Sequence, residues 1–185
     1  MVALIIIIVL VAIVIALIVM RNNLVVARQR VKNAWSQIDV QLQRRFDLIP
    51  NLVETVKGYM AHESDVLEKV TSLRSSWTNA KTVEDKASID SSLSSTLKTI
   101  MALSENYPDL KANTNFMNLQ DELSKTEDKL SYSRQFYNDS VTRYNTKLEL
   151  FPSNIVANMF NFKPKSLFAA ESAEARKNVK VDFNK

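Results

Sequence analysis

The chain opens with VALIIIIVLVAIVIALIVM, residues 2–20, an apolar run unbroken by charge, glycine or proline. As a helix rising about 1.5 Å per residue it would reach about 28 Å, close to the ~30 Å hydrocarbon thickness of a bilayer. A cleaved signal peptide needs a basic leader, a shorter apolar core and a small-residue cleavage motif, and none is present. The run therefore reads as a transmembrane signal anchor over residues 1–21. Its backbone groups pair internally, so the abundance of β-branched isoleucine and valine is no obstacle in lipid. Ala12 and Ala16 have the small-xxx-small spacing that lets transmembrane helices approach one another closely.

The flanks set an orientation. No charged side chain precedes the run, whereas Arg21, Arg28, Arg30 and Lys32 follow it with no acid before Asp39. Such an excess of basic residues marks the cytoplasmic side of a span. The expectation is a single-pass protein of a cell (inner) membrane, its N-terminus outside and its remaining residues in the cytoplasm. The same four residues are placed to hold anionic headgroups.

Behind the anchor the chain reads as all-α. A single glycine in 185 residues nearly excludes strands joined by tight turns. Cysteine is absent, which removes disulfides, thiolate nucleophiles and cysteine-ligated metal. Apolar residues recur at spacings of three and four through Leu24, Val31, Trp35, Ile38, Leu42, Ile49, Leu52, Val56, Tyr59, Val66, Val70, Leu73 and Trp77. Thr82, with Asp85 three residues on, resembles a capping box and opens another helix through Ile89, Leu93, Leu97 and Ile100. ENYPDLKAN, residues 105–113, reads as a loop around Pro108. A last long helix carries Phe116, Leu119, Leu123, Leu130, Tyr137, Val141, Tyr144 and Leu148. Amphipathic helices with short connections predict an antiparallel up-and-down bundle over residues 22–150. Trp35 and Trp77 belong to its core or seams. Pro50 admits two readings. Either Asp47-Leu48-Ile49-Pro50 forms an architectural corner, with a turn at Phe46–Ile49, or one long first helix runs on and is kinked at Pro50.

No catalytic constellation is legible. His62 in HESDV lacks the second histidine that a zinc metalloprotease helix carries one turn later, and Tyr59 stands where a di-iron bundle would need glutamate. The carboxylates Glu122, Glu127 and Asp128 alternate with Lys125 and Lys129, most of them spaced to pair on a solvated face rather than to converge in a pocket. The basic residues are too few and too close to the span for a nucleic-acid surface. The expectation is a non-enzyme with no cofactor, no metal, no small-molecule substrate and no nucleic acid.

Three blocks are specific. NAWSQIDVQLQRRFDLIPNLVETVKGYMAHE (33–63), NFMNLQDELSKTEDKLSYSRQFYNDSVTRYN (115–145) and FPSNIVANMFNFKP (151–164) together resemble the LemA family of bacterial membrane proteins. Phe46 departs from the smaller or polar residue the family pattern would place there. The resemblance implies an antiparallel up-and-down four-helix bundle behind one N-terminal span, and it favours the hairpin at Phe46–Ile49, with helices near 22–46, 50–80, 83–105 and 114–150. It implies no established enzymatic activity. Family relatives associated with membrane organelles and with membrane quality-control proteases point to membrane organisation by analogy. The expected function is a scaffold that self-associates into homo-oligomers, coiled-coil-like, and organises or shapes the bilayer at its cytoplasmic face. The rival is an adaptor or regulator of another membrane protein such as a membrane protease.

The hairpin would return Phe151 to the bilayer. Residues 151–168 set Ile155, Met159, Phe160, Phe162 and Phe168 beside Lys163 and Lys165, a mixture suited to an interfacial segment, to a cap on the bundle core or to contact with a neighbouring subunit. Residues 169–185 read as a partly disordered tail.

Overall fold

The structure is a computed structural model that describes residues 1–168; the expected tail lies outside the described residues. Every regular element among them is helical: α1 (Val2–Asp47), α2 (Ile49–Lys57), α3 (Ser64–Asn79), α4 (Val83–Ser104), α5 (Pro108–Lys111), α6 (Thr114–Glu149) and α7 (Ser153–Met159). The chain divides into two compact units, Met1–Gln41 with Asp128–Leu167, and Leu42–Glu127 with Phe168.

In the first unit α1 buries Leu24, Ala27, Val31, Ala34 and Ile38, an alternation of three and four residues that keeps one face inward. The alanines Ala27 and Ala34 belong to that face although the apolar stripe read from the sequence passes over them. From α6 come Leu130, Tyr137, Val141 and Tyr144. Trp35 meets Tyr137 edge-on at a centroid distance of 5.6 Å. Residues 2–16 of α1 bury nothing and present a continuous apolar surface.

In the second unit α3 packs on both α2 and α4. Its core holds Leu42, Phe46, Ile49, Leu52, Val56 and Met60, with Val70 and Trp77 from α3 and Leu93, Leu97 and Ile100 from α4. Helix α4 starts at Thr82, whose hydroxyl accepts from the Asp85 amide at 3.0 Å. This satisfies one orphan donor of the first turn. Helix α6 starts at Asn113, whose side-chain oxygen accepts from the amides of Asn115 and Phe116. Between them the loop around Pro108 contains the short α5, which buries Leu110.

The turn expected at Phe46–Ile49 is absent. Leu48 keeps right-handed helical dihedrals (φ −77°, ψ −19°), and the Leu52 amide donates to its carbonyl at 3.0 Å. The chain is therefore helical on both sides of Pro50, with a one-residue interruption, which is the kinked alternative. The reason lies in burial. Phe46, Ile49, Leu52 and Val56 stay on one buried stripe across the proline, so continuing the helix keeps four large side chains out of water. Pro50 stands in the first turn of α2, where its missing N–H costs least.

The break in the helix expected over 50–80 comes instead at residues 58–63. The amides of Tyr59 and Met60 both donate to the Val56 carbonyl, and Met60 rather than Tyr59 turns inward. Two side-chain bonds fasten this turn: the Tyr107 hydroxyl to the Glu63 carboxylate at 3.4 Å, and the Asn113 amide to the Tyr59 hydroxyl at 3.2 Å. Gly58 itself is right-handed (φ −71°, ψ −24°), and a Cβ added there would meet nothing. Its glycine is thus not required by the backbone. Gly58→Ala is expected to raise stability by about 0.4–1 kcal/mol through the unfolded chain, seen as a higher unfolding midpoint in urea.

Candidate functional site

The first unit gathers most of the residues singled out for membrane contact. Helix α7 turns Val156 and Ala157 inward onto Leu24, and Leu17, Met20, Leu148 and Phe162 pack around this group. Leu17 and Met20 are the last inward-facing residues of the apolar run, so α7 is seated against the end of the candidate span. Its other face is open, with Ile155 55%, Met159 57% and Phe160 46% exposed, and Phe151 just before it 80% exposed. Ile155 and Met159 are four residues apart and share one side of the helix.

Helix α7 ends in a Schellman arrangement. The Phe162 amide donates to the Ala157 carbonyl at 2.9 Å, the Asn161 amide to the Asn158 carbonyl at 3.2 Å, and Asn161 takes a left-handed φ of 54°. Asparagine tolerates that region and β-branched residues do not. Asn161→Gly should therefore leave thermal stability within a few tenths of a kcal/mol, whereas Asn161→Val should lower it by about 1–2 kcal/mol. Equal effects of the two substitutions would contradict this reading.

Beyond Asn161 the chain forms a strap tied to α6. The Tyr144 hydroxyl donates to the Lys163 carbonyl at 3.0 Å, and the Tyr137 hydroxyl to the Ser166 carbonyl at 2.9 Å. Asn145 makes a reciprocal pair with the backbone of Lys165, at 2.8 and 2.9 Å. The strap explains why tyrosine and asparagine stand together in the RYN of the second sequence block: both serve backbone groups of the third. Burial pushes the Tyr144 phenol above its ordinary value, with Arg28 opposing. An acid whose folded pKa is raised contributes stability that is complete below its unfolded pKa near 10 and is lost as pH rises through the folded value. The strap should accordingly loosen only in strong alkali, and Tyr144→Phe should flatten that part of the pH–stability profile.

The four basic residues fare differently from one another. The Arg21 guanidinium lies 5.1 Å from the Phe160 ring centroid and that of Arg28 lies 5.1 Å from Phe162, both within cation–π range. Arg30 and Lys32 are exposed on α1, as are Lys163 and Lys165 on the strap. Phe168 is buried. Ala12 and Ala16 lie on the open surface of the apolar run. Of the expected corner, Ile49 is buried, Pro50 is exposed, and Asp47 accepts from Gln43 at 2.8 Å in the last turn of α1. His62 is exposed in the turn after Gly58.

One cluster escaped the sequence reading. In the second unit Arg45, 4% exposed, reaches Asp90 (2.6 Å), Glu127 (2.8 Å) and the Ser94 hydroxyl (2.9 Å) through one guanidinium nitrogen. Asp90, at 1%, is equally buried. Arginine after arginine at 44–45 gave no sign that the second points inward; Arg44 instead pairs with Glu122 at the surface. One buried guanidinium holds two carboxylates and a hydroxyl together, which suits a structural tie.

A long apolar helix, exposed over its first turns and carried into a helical core, defines a membrane-associated helical protein. The family model for the LemA family matches residues 34–183, and the chain belongs to that family. It is 29% identical over 159 residues to Protein LemA of Metamycoplasma hominis, covering 83% of this chain and 71% of the relative. It is 25% identical over 178 residues to the magnetosome proteins MamQ 1 and MamQ 2 of Paramagnetospirillum magneticum, covering 82% of this chain and 65% of each relative.

Proposed function

We propose that the protein is a non-enzymatic membrane scaffold: a bundle anchored by residues 2–20, facing the cytoplasm, self-associating and organising the bilayer surface. The single observation that carries this is the continuity of α1. No linker separates the apolar run from the buried stripe that begins at Leu24. A catalytic domain on a tether can leave its anchor behind, whereas here one helix carries both the apolar run and buried residues of the first unit. Any tilt imposed on the span is then passed along α1 into the first unit. The cytoplasmic orientation follows from Arg21, Arg28, Arg30 and Lys32. The antiparallel up-and-down four-helix arrangement is part of the same proposal.

The adaptor reading also has an observation in its favour. Val40, Tyr132 and Phe136 are exposed in the first unit, and Val40 and Tyr132 line an open groove with Ser36, Gln37 and Lys129. An open groove with an exposed aromatic and an exposed valine suits a partner helix.

The experiment is the mass of the full-length chain extracted with its lipid, by light scattering and electron microscopy. A homogeneous assembly of this chain alone is the expected result. A monomer, or a monomer held with a different membrane protein, would overturn the scaffold and leave the adaptor.

A further inference from the structure

We infer that α7 with its flanking residues is an in-plane membrane-surface element, whose open face enters the headgroup–acyl boundary beside the point where α1 leaves the bilayer. The inference rests on the reading of residues 2–20 as a span and names the lipid contact made at its exit.

Depth is fixed by what α7 packs on. Its buried residues Val156 and Ala157 meet Leu24, with Leu17 and Met20 at their edge. The first charge after the apolar run is Arg21. On a helix rising about 1.5 Å per residue, Leu17 lies ~6 Å before Arg21 and Leu24 ~5 Å after it. A helix seated on those residues straddles the level at which hydrocarbon gives way to headgroups.

Chemistry then selects the occupant. From Phe151 to Phe162 the chain carries no charged side chain, and it leaves Phe151, Ile155, Met159 and Phe160 outward. On a soluble surface a contiguous apolar patch of this kind stays in water at a cost. At the bilayer boundary the same residues are buried, to the ~5–10 Å depth usual for in-plane helices. The rim is basic: Arg21 over Phe160, Arg28 over Phe162, and Lys163 and Lys165 on the strap. Arginine held over a phenyl ring and lysine on a flexible stem both suit phosphates of anionic lipid, and each can extend its charge outward from an apolar base. The bonds from Tyr137, Tyr144 and Asn145 to the strap hold the element in this pose, so insertion requires no refolding.

The native chain has no cysteine, so a single introduced thiol takes a unique label. The full-length variants Ile155→Cys and Met159→Cys are labelled with a nitrobenzoxadiazole dye. They are reconstituted in vesicles of phosphatidylcholine and phosphatidylglycerol that carry nitroxide lipids, with the quencher either shallow or deep in the acyl chain. Ile13→Cys reports the span and the exposed Ser76→Cys reports the aqueous side. The expected result is several-fold stronger quenching of the 155 and 159 labels by the shallow nitroxide than by the deep one, the opposite order at 13, and no quenching at 76. Quenching at 13 with none at 155 and 159 would overturn the inference and leave the span standing. Loss of quenching at 13 would remove both. A blue-shifted but unquenched label at 155 that depends on protein density would assign the face to a second copy, and so overturn the lipid contact.

Discussion

Replacing Arg45 by alanine should lower the unfolding free energy by about 3–5 kcal/mol, enough to remove much of the stability of a domain this size. The guanidinium contacts Asp90 at 2.6 Å and Glu127 at 2.8 Å, and both Arg45 and Asp90 are almost fully out of water. Without the cation, the buried Asp90 carboxylate loses its 2.6 Å partner. Most of the loss comes from breaking a buried ion pair from one side only. The double substitution Arg45→Met with Asp90→Leu should therefore recover most of it, since a buried ion pair replaced by apolar groups of similar volume is often neutral or better. Arg45→Lys should fall between, because one ammonium lacks the planar set of donors. Urea unfolding of the lipid-reconstituted chain, followed by far-UV circular dichroism, orders the three variants. A double variant no better than Arg45→Ala would mean that the network contributes through something other than charge.

Trp77→Ala should cost a similar ~3–5 kcal/mol, the range for deleting a buried large aromatic. Trp77 stacks on Phe46 with centroids 4.7 Å apart and planes 10° from parallel. The Lys86 ammonium lies 4.4 Å from the centre of its ring, and its indole N–H donates to Gln43 at 3.4 Å. One side chain thus joins α1, α3 and α4 within the second unit. A double-mutant cycle with Phe46→Leu should show a coupling of about 0.5–1.5 kcal/mol, the increment expected for an aromatic pair beyond its area. Zero coupling would reduce the stack to ordinary burial. Phe46 is also the residue at which this sequence departs from the expected family pattern, and the stack supplies a physical reason for a large ring there.

The helical character was legible because burial enforces period. Leu24, Val31, Ile38, Leu42, Ile49, Leu52 and Val56 are all buried where a spacing of three and four placed them. Pro50 misled because proline is a local signal, and the stripe passing through it is a stronger one: Phe46 and Ile49 on one face outweigh a single lost hydrogen bond. The unbroken phase of that stripe was the clue favouring the kink. The true break at 58–63 gave little sign. Its glycine has ordinary helical dihedrals, and what holds the turn is Tyr107 and Asn113, far along the chain. The Arg45–Asp90 tie was invisible for the same reason, since pairing across 45 positions leaves no periodic trace. At 151–168 the composition gave the mixed apolar and basic character. The split between inward Val156 and Ala157 and outward Ile155 and Met159 depends on where α1 and the Tyr144 strap hold the segment.

The proposed topology is a retained span with the rest of the chain on the cytoplasmic side. It is tested most directly by thiol accessibility in intact bacterial cells expressing the full chain, using a membrane-impermeant maleimide on Val2→Cys and Ser76→Cys variants. The thiol at 2 should be labelled in intact cells and the thiol at 76 only after lysis, and both variants should stay with the membranes through an alkaline carbonate wash. Labelling at 76 in intact cells would reverse the orientation, and release by carbonate would contradict the span itself.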